Sequence, residues 1–174
     1  MTVFAEWRHR LHEIPAGGLR ETRTATEAER AALANELPIV SCEVLVVEYQ
    51  IKPAGRDRYA LTGRLQAEVT QACVISLEPI KATLDEPLDC KFVAPTMIPD
   101  QQPEEQEALS VEDLEPIEDG TIDVGRIVFE VFSTSLDPYP RREDVEWQSP
   151  HAQADSEASA AGPFAALAEL KKKT

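Results

Sequence analysis

Two long alternating stretches in the middle of the chain constrain its fold more than any other feature. RYALTGRLQAEVTQ occupies residues 58–71 and IKATLDEPLDCKF occupies residues 80–92, and in both stretches apolar side chains recur at alternate positions. A period of two is that of a β-strand with one buried face. The short connection between the two strands predicts antiparallel pairing. The side chains expected on the inward face are Tyr59, Leu61, Leu65, Ala67, Val69, Ile80, Ala82, Leu84, Leu88, Cys90 and Phe92.

A third strand is predicted for IVSCEVLVVEYQI, residues 39–51, although its apolar phase changes midway. The apolar residues first follow the phase of Cys42 and then that of Val47. Burial on both faces would produce such a change, and so would a β-bulge. In the 80–92 strand, Pro87 falls on the polar face. It indicates a sheet edge or a bulge, because proline cannot donate to the ladder.

Two helices are predicted beside these strands. The first covers 26–37, where Thr26 and Glu29 have the spacing of a capping box and Pro38 ends the helix. The second covers 123–135 and carries an apolar stripe. VFAEWRHRLHEI, residues 3–14, alternates more loosely and is predicted to be another strand. The fold class expected is α+β, with a curled antiparallel sheet or small barrel and two packed helices. The predicted stripe of the second helix consists of Val124, Ile127, Val128, Val131 and Phe132.

The distribution of charge suggests how the chain is divided. Residues 94–120 hold nine acidic side chains and no basic one. Within them, 94–112 is rich in Pro, Gln and Glu, so we expect a disordered acidic insert in a single domain of residues 1–147. The insert is either a solvated linker or an acidic segment that attracts a basic partner. Residues 148–174 read as a flexible linker followed by a short amphipathic helix, FAALAELKKK, whose alternative is a frayed tail.

Composition excludes several classes of protein. With 17 basic and 32 acidic residues the net charge is −15, which argues against coating of nucleic acid by bulk electrostatics, and no DNA partner is expected. No apolar window is long enough to cross a membrane, and the N-terminus lacks the apolar region of a secretory signal. Three cysteines form no disulfide framework. A cytoplasmic protein without a membrane association is therefore expected.

CVISLEPI, which begins at Cys73, raises the question of a metal half-site, a catalytic thiol or a turn. A C-x-x-C pair would suit zinc, but position 76 is a serine, and no histidine partner for a thiol can be placed. The sequence therefore favours a turn that exposes Glu78, and Glu78 is a candidate residue for partner binding. Phosphate-binding loops and nucleophile elbows are absent from the sequence, so no enzyme activity, cofactor or metal is expected.

DPYPRR, residues 137–142, is a candidate binding segment. Its prolines restrict the backbone, so that Asp137, Tyr139, Arg141 and Arg142 would be presented in a fixed arrangement. Exposed tyrosine and arginine side chains on such a loop are typical binding anchors. The alternative is a helix stop followed by solvated arginines.

Four motifs in order carry a resemblance to a known family. CVISLEP, EPIEDGTIDVGRIVFE, LDPYPR and PFAALAELK together resemble the DUF177 or YceD family in its alphaproteobacterial form. The resemblance implies a role in accumulation of large-subunit ribosomal RNA and in assembly of the large subunit. Many members have C-x-x-C where this chain has Cys73 and Ser76, and that departure weakens any implied metal role.

The resemblance leads to an expected function. The chain would be a non-enzymatic cytoplasmic factor for accumulation of 23S rRNA, and its partner in the large-subunit precursor would be either a basic ribosomal protein or the 23S rRNA. One alternative is a metal- or thiol-dependent enzyme acting on rRNA. Another is a holdase that uses the acidic insert to occupy a basic ribosomal protein.

Overall fold

The computed structural model describes residues 3–98 and 114–145, and a five-stranded sheet is its largest element. Two helices and a separate pair of short strands accompany the sheet. The elements in chain order are β1 (Arg8–Arg10), a 3-10 turn (Leu11–Glu13), β2 (Leu19–Thr24), α1 (Glu27–Glu36), β3 (Ser41–Pro53), β4 (Arg58–Ala72), β5 (Pro79–Val93), a 3-10 turn (Pro95–Met97), β6 (Leu114–Pro116), β7 (Thr121–Asp123) and α2 (Val124–Ser135).

The sheet has the strand order β2-β3-β4-β5-β6 and confirms the α+β class. Strands β2 to β5 pair antiparallel, whereas β6 lies parallel to the end of β5. β1 pairs with β7 in a small ladder of its own. Among the described residues β2 and β6 form opposite, unjoined edges of the sheet. The sheet is therefore open, and the small barrel offered as an alternative is wrong.

The alternation of β4 and β5 produces one buried face, as predicted. The two strands pair without interruption from Arg58 opposite Val93 to Ala72 opposite Pro79. Opposite residues of an antiparallel pair share a face, so the pairing places Ala67 beside Leu84 on the core side. The predicted inward side chains are buried, apart from three that are half-buried, namely Tyr59, Ile80 and Ala82.

The two irregular positions of the sheet have different causes. In β3 the register shifts between Cys42 and Val44, so a β-bulge explains the change of apolar phase. In β5 the register runs straight through Pro87, which lies opposite Arg64. Within the described residues β6 pairs with β5 only at positions 91–93. At Pro87, β5 is therefore an edge strand. The missing N–H of proline costs no hydrogen bond there, because no neighbouring strand in the described part of the chain would accept it.

Both predicted helices form, and side chains cap each of them. Thr26 and Glu29 make the reciprocal capping box of α1: the Thr26 N–H donates to Glu29 Oε2 at 2.8 Å, and the Glu29 N–H donates to Thr26 Oγ1 at 3.3 Å. Asp123 caps α2 by accepting from the Arg126 N–H at 3.0 Å. The apolar stripe of α2 faces the core, with Val131 half-buried and the other four members buried.

The predicted strand over 3–14 is wrong for most of its length. Only Arg8–Arg10 is a strand; a turn precedes it and a 3-10 turn follows it. Phe4 and Trp7 are both buried, with ring centroids 4.7 Å apart. Residues three apart point to opposite faces of a strand, so a strand could not bury both. The turn, closed by the Trp7 N–H and the Phe4 carbonyl at 3.0 Å, brings both rings to the core.

A partly buried chain of hydrogen-bonded polar side chains connects β1 to the main sheet. His9 is 6% exposed, and its Nε2 lies 2.7 Å from the Tyr49 hydroxyl. Tyr49 donates to Glu21 Oε2 at 2.9 Å, so His9 must donate to the tyrosine oxygen. Arg23 donates to the same carboxylate oxygen at 3.0 Å. Burial lowers the pKa of His9, which favours the neutral ring.

Part of the predicted insert and all of the predicted tail lie outside the described residues. The insert was placed at 94–112, but Pro95–Met97 form a 3-10 turn, and the Ala94 N–H donates to the Asp57 carbonyl at 3.2 Å. The first residues of that range therefore belong to the folded domain. Residues 99–112 lie outside the described part of the chain, as does the predicted linker and helix over 148–174. No described helix is long and apolar enough to cross a membrane.

Truncation of the core face should be costly. Leu65 is 0% exposed and Leu84 is 8% exposed. Changing either to alanine should lower the free energy of unfolding by about 2–5 kcal/mol, because a cavity adds to the lost transfer energy. Urea unfolding measures the loss. Thr62→Ala, on the exposed face of β4, is the control and should change stability little. Negligible effects at both leucines would contradict the assigned core face.

Gly125 should reject a side chain even though it lies in a helix. A Cβ there would lie 2.4 Å from the Phe4 carbonyl oxygen and 2.7 Å from the Phe4 Cβ. Helix propensity alone predicts that Gly125→Ala stabilises the protein by roughly 1 kcal/mol. We expect a loss of about 1–3 kcal/mol instead, because the first turn of α2 is packed against Phe4. Gly17→Ala is the control, since its Cβ would meet nothing within 4 Å. A stabilised Gly125→Ala variant would show that the two elements do not pack this closely.

Candidate functional site

Two connecting segments come together at one end of the sheet. The 73–78 turn joins β4 to β5, and the 137–145 segment follows α2. The Val74 N–H donates to the Pro140 carbonyl at 2.9 Å, and Glu78 forms an ion pair with Arg142. Glu78 and the 137–142 motif, which the sequence offered as separate candidates, therefore form one surface. We call it the turn–segment surface.

The segment is held against the sheet by a buried amide and by its own local bonds. Gln71, 2% exposed, donates from Nε2 to the Asp137 carbonyl at 2.9 Å. The Asp137 carboxylate accepts from the Tyr139 N–H at 2.8 Å. Pro138 and Pro140 fix the backbone on either side of Tyr139. The order of the segment therefore comes from contacts with β4 and from proline, without regular secondary structure.

The turn is closed by two backbone hydrogen bonds and contains a residue in the left-handed region. The Cys73 N–H donates to the Glu78 carbonyl at 2.8 Å, and the Leu77 N–H donates to the Cys73 carbonyl at 2.9 Å. Leu77 has a φ of 61°. Glycine, asparagine and aspartate are the usual residues at such a φ, because a larger side chain crowds the backbone. The turn predicted at Cys73 is confirmed.

The thiol of Cys73 lies inside this turn among hydrogen-bond donors. It is 0% exposed, and the Ser76 N–H lies 3.5 Å from its sulfur. Hydrogen bonds from the Ser76 hydroxyl and from the backbone N–H groups of Ser76, Arg142 and Ile75 lower the pKa of Cys73 to about 6. Burial instead raises the pKa of Cys42 to about 11. Within the described ranges, no three His, Cys, Asp or Glu side chains are grouped so that they could hold a metal ion.

Some of the charged side chains of the surface form ion pairs with one another. Arg142 donates to Asp144 Oδ1 at 2.9 Å and to its Oδ2 at 2.6 Å, in addition to its pair with Glu78. Asp144, followed by Glu78, raises the pKa of Arg142, and Arg142 lowers the pKa of Asp144. Arg142 therefore connects the segment to the turn, and it is also part of the turn–segment surface. Arg141 is exposed, and so is Asp137.

Tyr139 was predicted from the sequence, but sequence reasoning missed two other exposed apolar side chains of this surface, Leu77 and Val74. Leu77 is 77% exposed and Val74 is 44% exposed, close in sequence to the predicted Glu78; Tyr139 is 70% exposed. The available signal was the apolar run in CVISLEP, which continues after the alternation of β4 has ended and has no strand face to cover it. The turn–segment surface thus combines exposed apolar side chains with a rim of charge.

Comparison with known proteins identifies a family. A family model described as "Large ribosomal RNA subunit accumulation protein YceD" matches residues 61–171. The search of curated proteins found no match, and neither did the search of solved structures. The matched residues contain β5, α2 and the whole turn–segment surface.

The environment of Cys73 predicts a thiolate at neutral pH. Ultraviolet absorbance of the thiolate should show one ionisation with a midpoint near pH 6, and Cys73→Ala should remove it. The folded pKa is below the unfolded value, so folding stability should rise with pH between about 6 and 9 and should be lost as the pH falls through 6. Urea midpoints across this range test the slope, which the variant should reduce.

Cys42 is the internal control, because its raised pKa keeps it a thiol over the same range. A wild-type protein with no ionisation below the ordinary range of a free cysteine would contradict the predicted environment. Persistence of the transition in Cys73→Ala would assign it to another cysteine.

Proposed function

Because the chain belongs to the YceD (DUF177) family of large ribosomal RNA subunit accumulation proteins, we propose that it is a non-enzymatic binding factor for a large-subunit precursor. The family name itself places the protein in accumulation of large ribosomal subunit rRNA. The proposal adds the mode of action, which is binding through the turn–segment surface. The compartment proposed for the protein is the cytoplasm, where its three cysteines would stay reduced.

The docking of the 137–142 motif onto the turn is the observation that carries the proposal. A backbone hydrogen bond and an ion pair hold the segment to the turn, and the buried amide of Gln71 holds it to β4. Tyr139 is nevertheless 70% exposed on this fixed backbone. A preorganised surface loses less entropy on binding than a mobile loop, and exposed tyrosine and arginine are frequent anchors. The geometry therefore supports a recognition surface better than a helix stop with solvated side chains.

One observation favours the alternative of a thiol-dependent enzyme acting on rRNA, namely the lowered pKa of Cys73. A nucleophile must also reach its substrate, and this sulfur is fully covered. Its donors come from the turn and from the segment, so a thiolate there would help to hold the two together. Cys73 is therefore proposed as a structural part of the surface.

The exposed side chains of the surface provide the test. Tyr139→Ala combined with Arg141→Ala should reduce co-sedimentation of the full-length protein with large-subunit precursors by about tenfold, while the thermal midpoint stays within a few degrees. Arg20→Ala, an exposed arginine on β2, is the matched control and should co-sediment like the wild type. Arg142 is left intact in both because it ties the segment to the turn.

The salt dependence of the same assay separates the two partner classes. If RNA is contacted directly, loss of Arg141 should lower the salt slope by about one unit. If a protein is bound, the slope should change little. Unchanged co-sedimentation of the double variant, with folding confirmed, would remove the turn–segment surface from the proposed function.

A further inference from the structure

We propose that Leu77 is the apolar anchor of the turn–segment surface and that it enters a socket on a basic protein of the large-subunit precursor. This inference rests on the proposed function and makes its partner specific. It names a residue of the CVISLEP motif that was not among the binding residues predicted from the sequence. It also assigns recognition to a protein, with RNA as the competing outcome.

The turn needs the backbone of Leu77 but does not need its side chain. The left-handed φ of 61° turns the chain after Leu77, so that the Glu78 carbonyl can accept from the Cys73 N–H. Glycine would adopt this conformation without strain. The side chain of Leu77 is 77% exposed and contributes nothing to the core. Leucine is therefore unfavourable here both for backbone strain and for exposed apolar area, and folding offers no compensation.

A binding partner supplies that compensation. Strained residues whose conformation the fold enforces are concentrated at binding sites, and exposed apolar groups that lie together mark interaction surfaces. Val74 and Tyr139 are exposed on the same turn–segment surface. These three account for half of the six large apolar side chains that are exposed in the described part of the chain. Their concentration on the turn and the docked segment indicates one apolar contact area.

The charge around this area favours a basic protein over RNA. The turn and the segment together carry four carboxylates, on Glu78, Asp137, Glu143 and Asp144, against two guanidinium groups. One of those, on Arg142, is already paired with Glu78 and Asp144. The whole chain has a net charge of −15. Phosphates would be repelled by such a rim, whereas lysine and arginine side chains of a protein would complement it.

Leu77→Gly is the informative variant because glycine keeps the left-handed backbone conformation of the turn and removes the exposed side chain that would contact the partner. The full-length protein is titrated with purified large-subunit ribosomal proteins, one at a time, and in a second arm with protein-free 23S rRNA. We expect at least one basic ribosomal protein to bind, and Leu77→Gly to weaken that binding about tenfold, the size of an anchor residue. The thermal midpoint of the variant should equal or exceed that of the wild type, because glycine relieves the strained φ.

Asp57→Gly is the matched control. Asp57 also has a left-handed φ, 56°, and is exposed, but it lies in the turn before β4, at the opposite end of that strand. It should change the thermal midpoint less than Leu77→Gly does, because aspartate already tolerates a left-handed φ, and it should bind like the wild type. If only Leu77→Gly weakens binding, the loss of affinity is due to the missing leucine side chain.

Each other outcome overturns the inference. Wild-type affinity in Leu77→Gly would show that Leu77 is no anchor, and a lower thermal midpoint would show that the fold needs the leucine. If the chain binds 23S rRNA and no ribosomal protein, the partner is RNA and not a basic protein. Absence of binding in both arms would also reject the basic-protein partner, while the co-sedimentation assay would still report separately on the proposed function.

Discussion

The uninterrupted pairing of β4 with β5 is the interaction on which the rest of the structure depends. Fifteen residues of each strand are matched, from Arg58 opposite Val93 to Ala72 opposite Pro79. A slip of one residue would move every inward side chain to the opposite face, so burial of this face fixes the register. The same register determines where the 73–78 turn lies. Core packing and the position of the turn–segment surface are thus consequences of one ladder.

Much of the fold could be predicted because its signals are local. The alternation in β4 and β5, the capping box at Thr26 and the stripe of α2 each depend on residues close in the chain. The N-terminal residues could not be assigned in this way. Phe4 and Trp7 take their conformation from the core they fill, and β6 is defined only by a partner strand remote in sequence. The conformation of such elements is determined by tertiary contacts, which the hydrophobic periodicity of the sequence does not reveal.

The candidate site shows the same division. Glu78, Tyr139 and the arginines could be selected by residue type and by neighbouring prolines. Their meeting in one surface could not be anticipated, since it depends on Gln71 reaching the Asp137 carbonyl across a long sequence separation. Leu77 was indicated only by the apolar run in CVISLEP and not as a turn position, because a left-handed turn position is ordinarily recognised by glycine, asparagine or aspartate. The donors around the Cys73 sulfur likewise come from both segments.

The parallel ladder between β5 and β6 has a consequence for how members of this family can diverge. Lys91 lies opposite Leu114, so the two ends of the intervening acidic stretch are fixed at one corner of the sheet. The entropy of closing a loop grows only with the logarithm of its length, and each doubling costs about 0.6 kcal/mol. A change in the length of the chain between these anchors therefore costs little closure entropy. The length of that stretch can therefore vary among family members while the β4–β5 hairpin keeps its register.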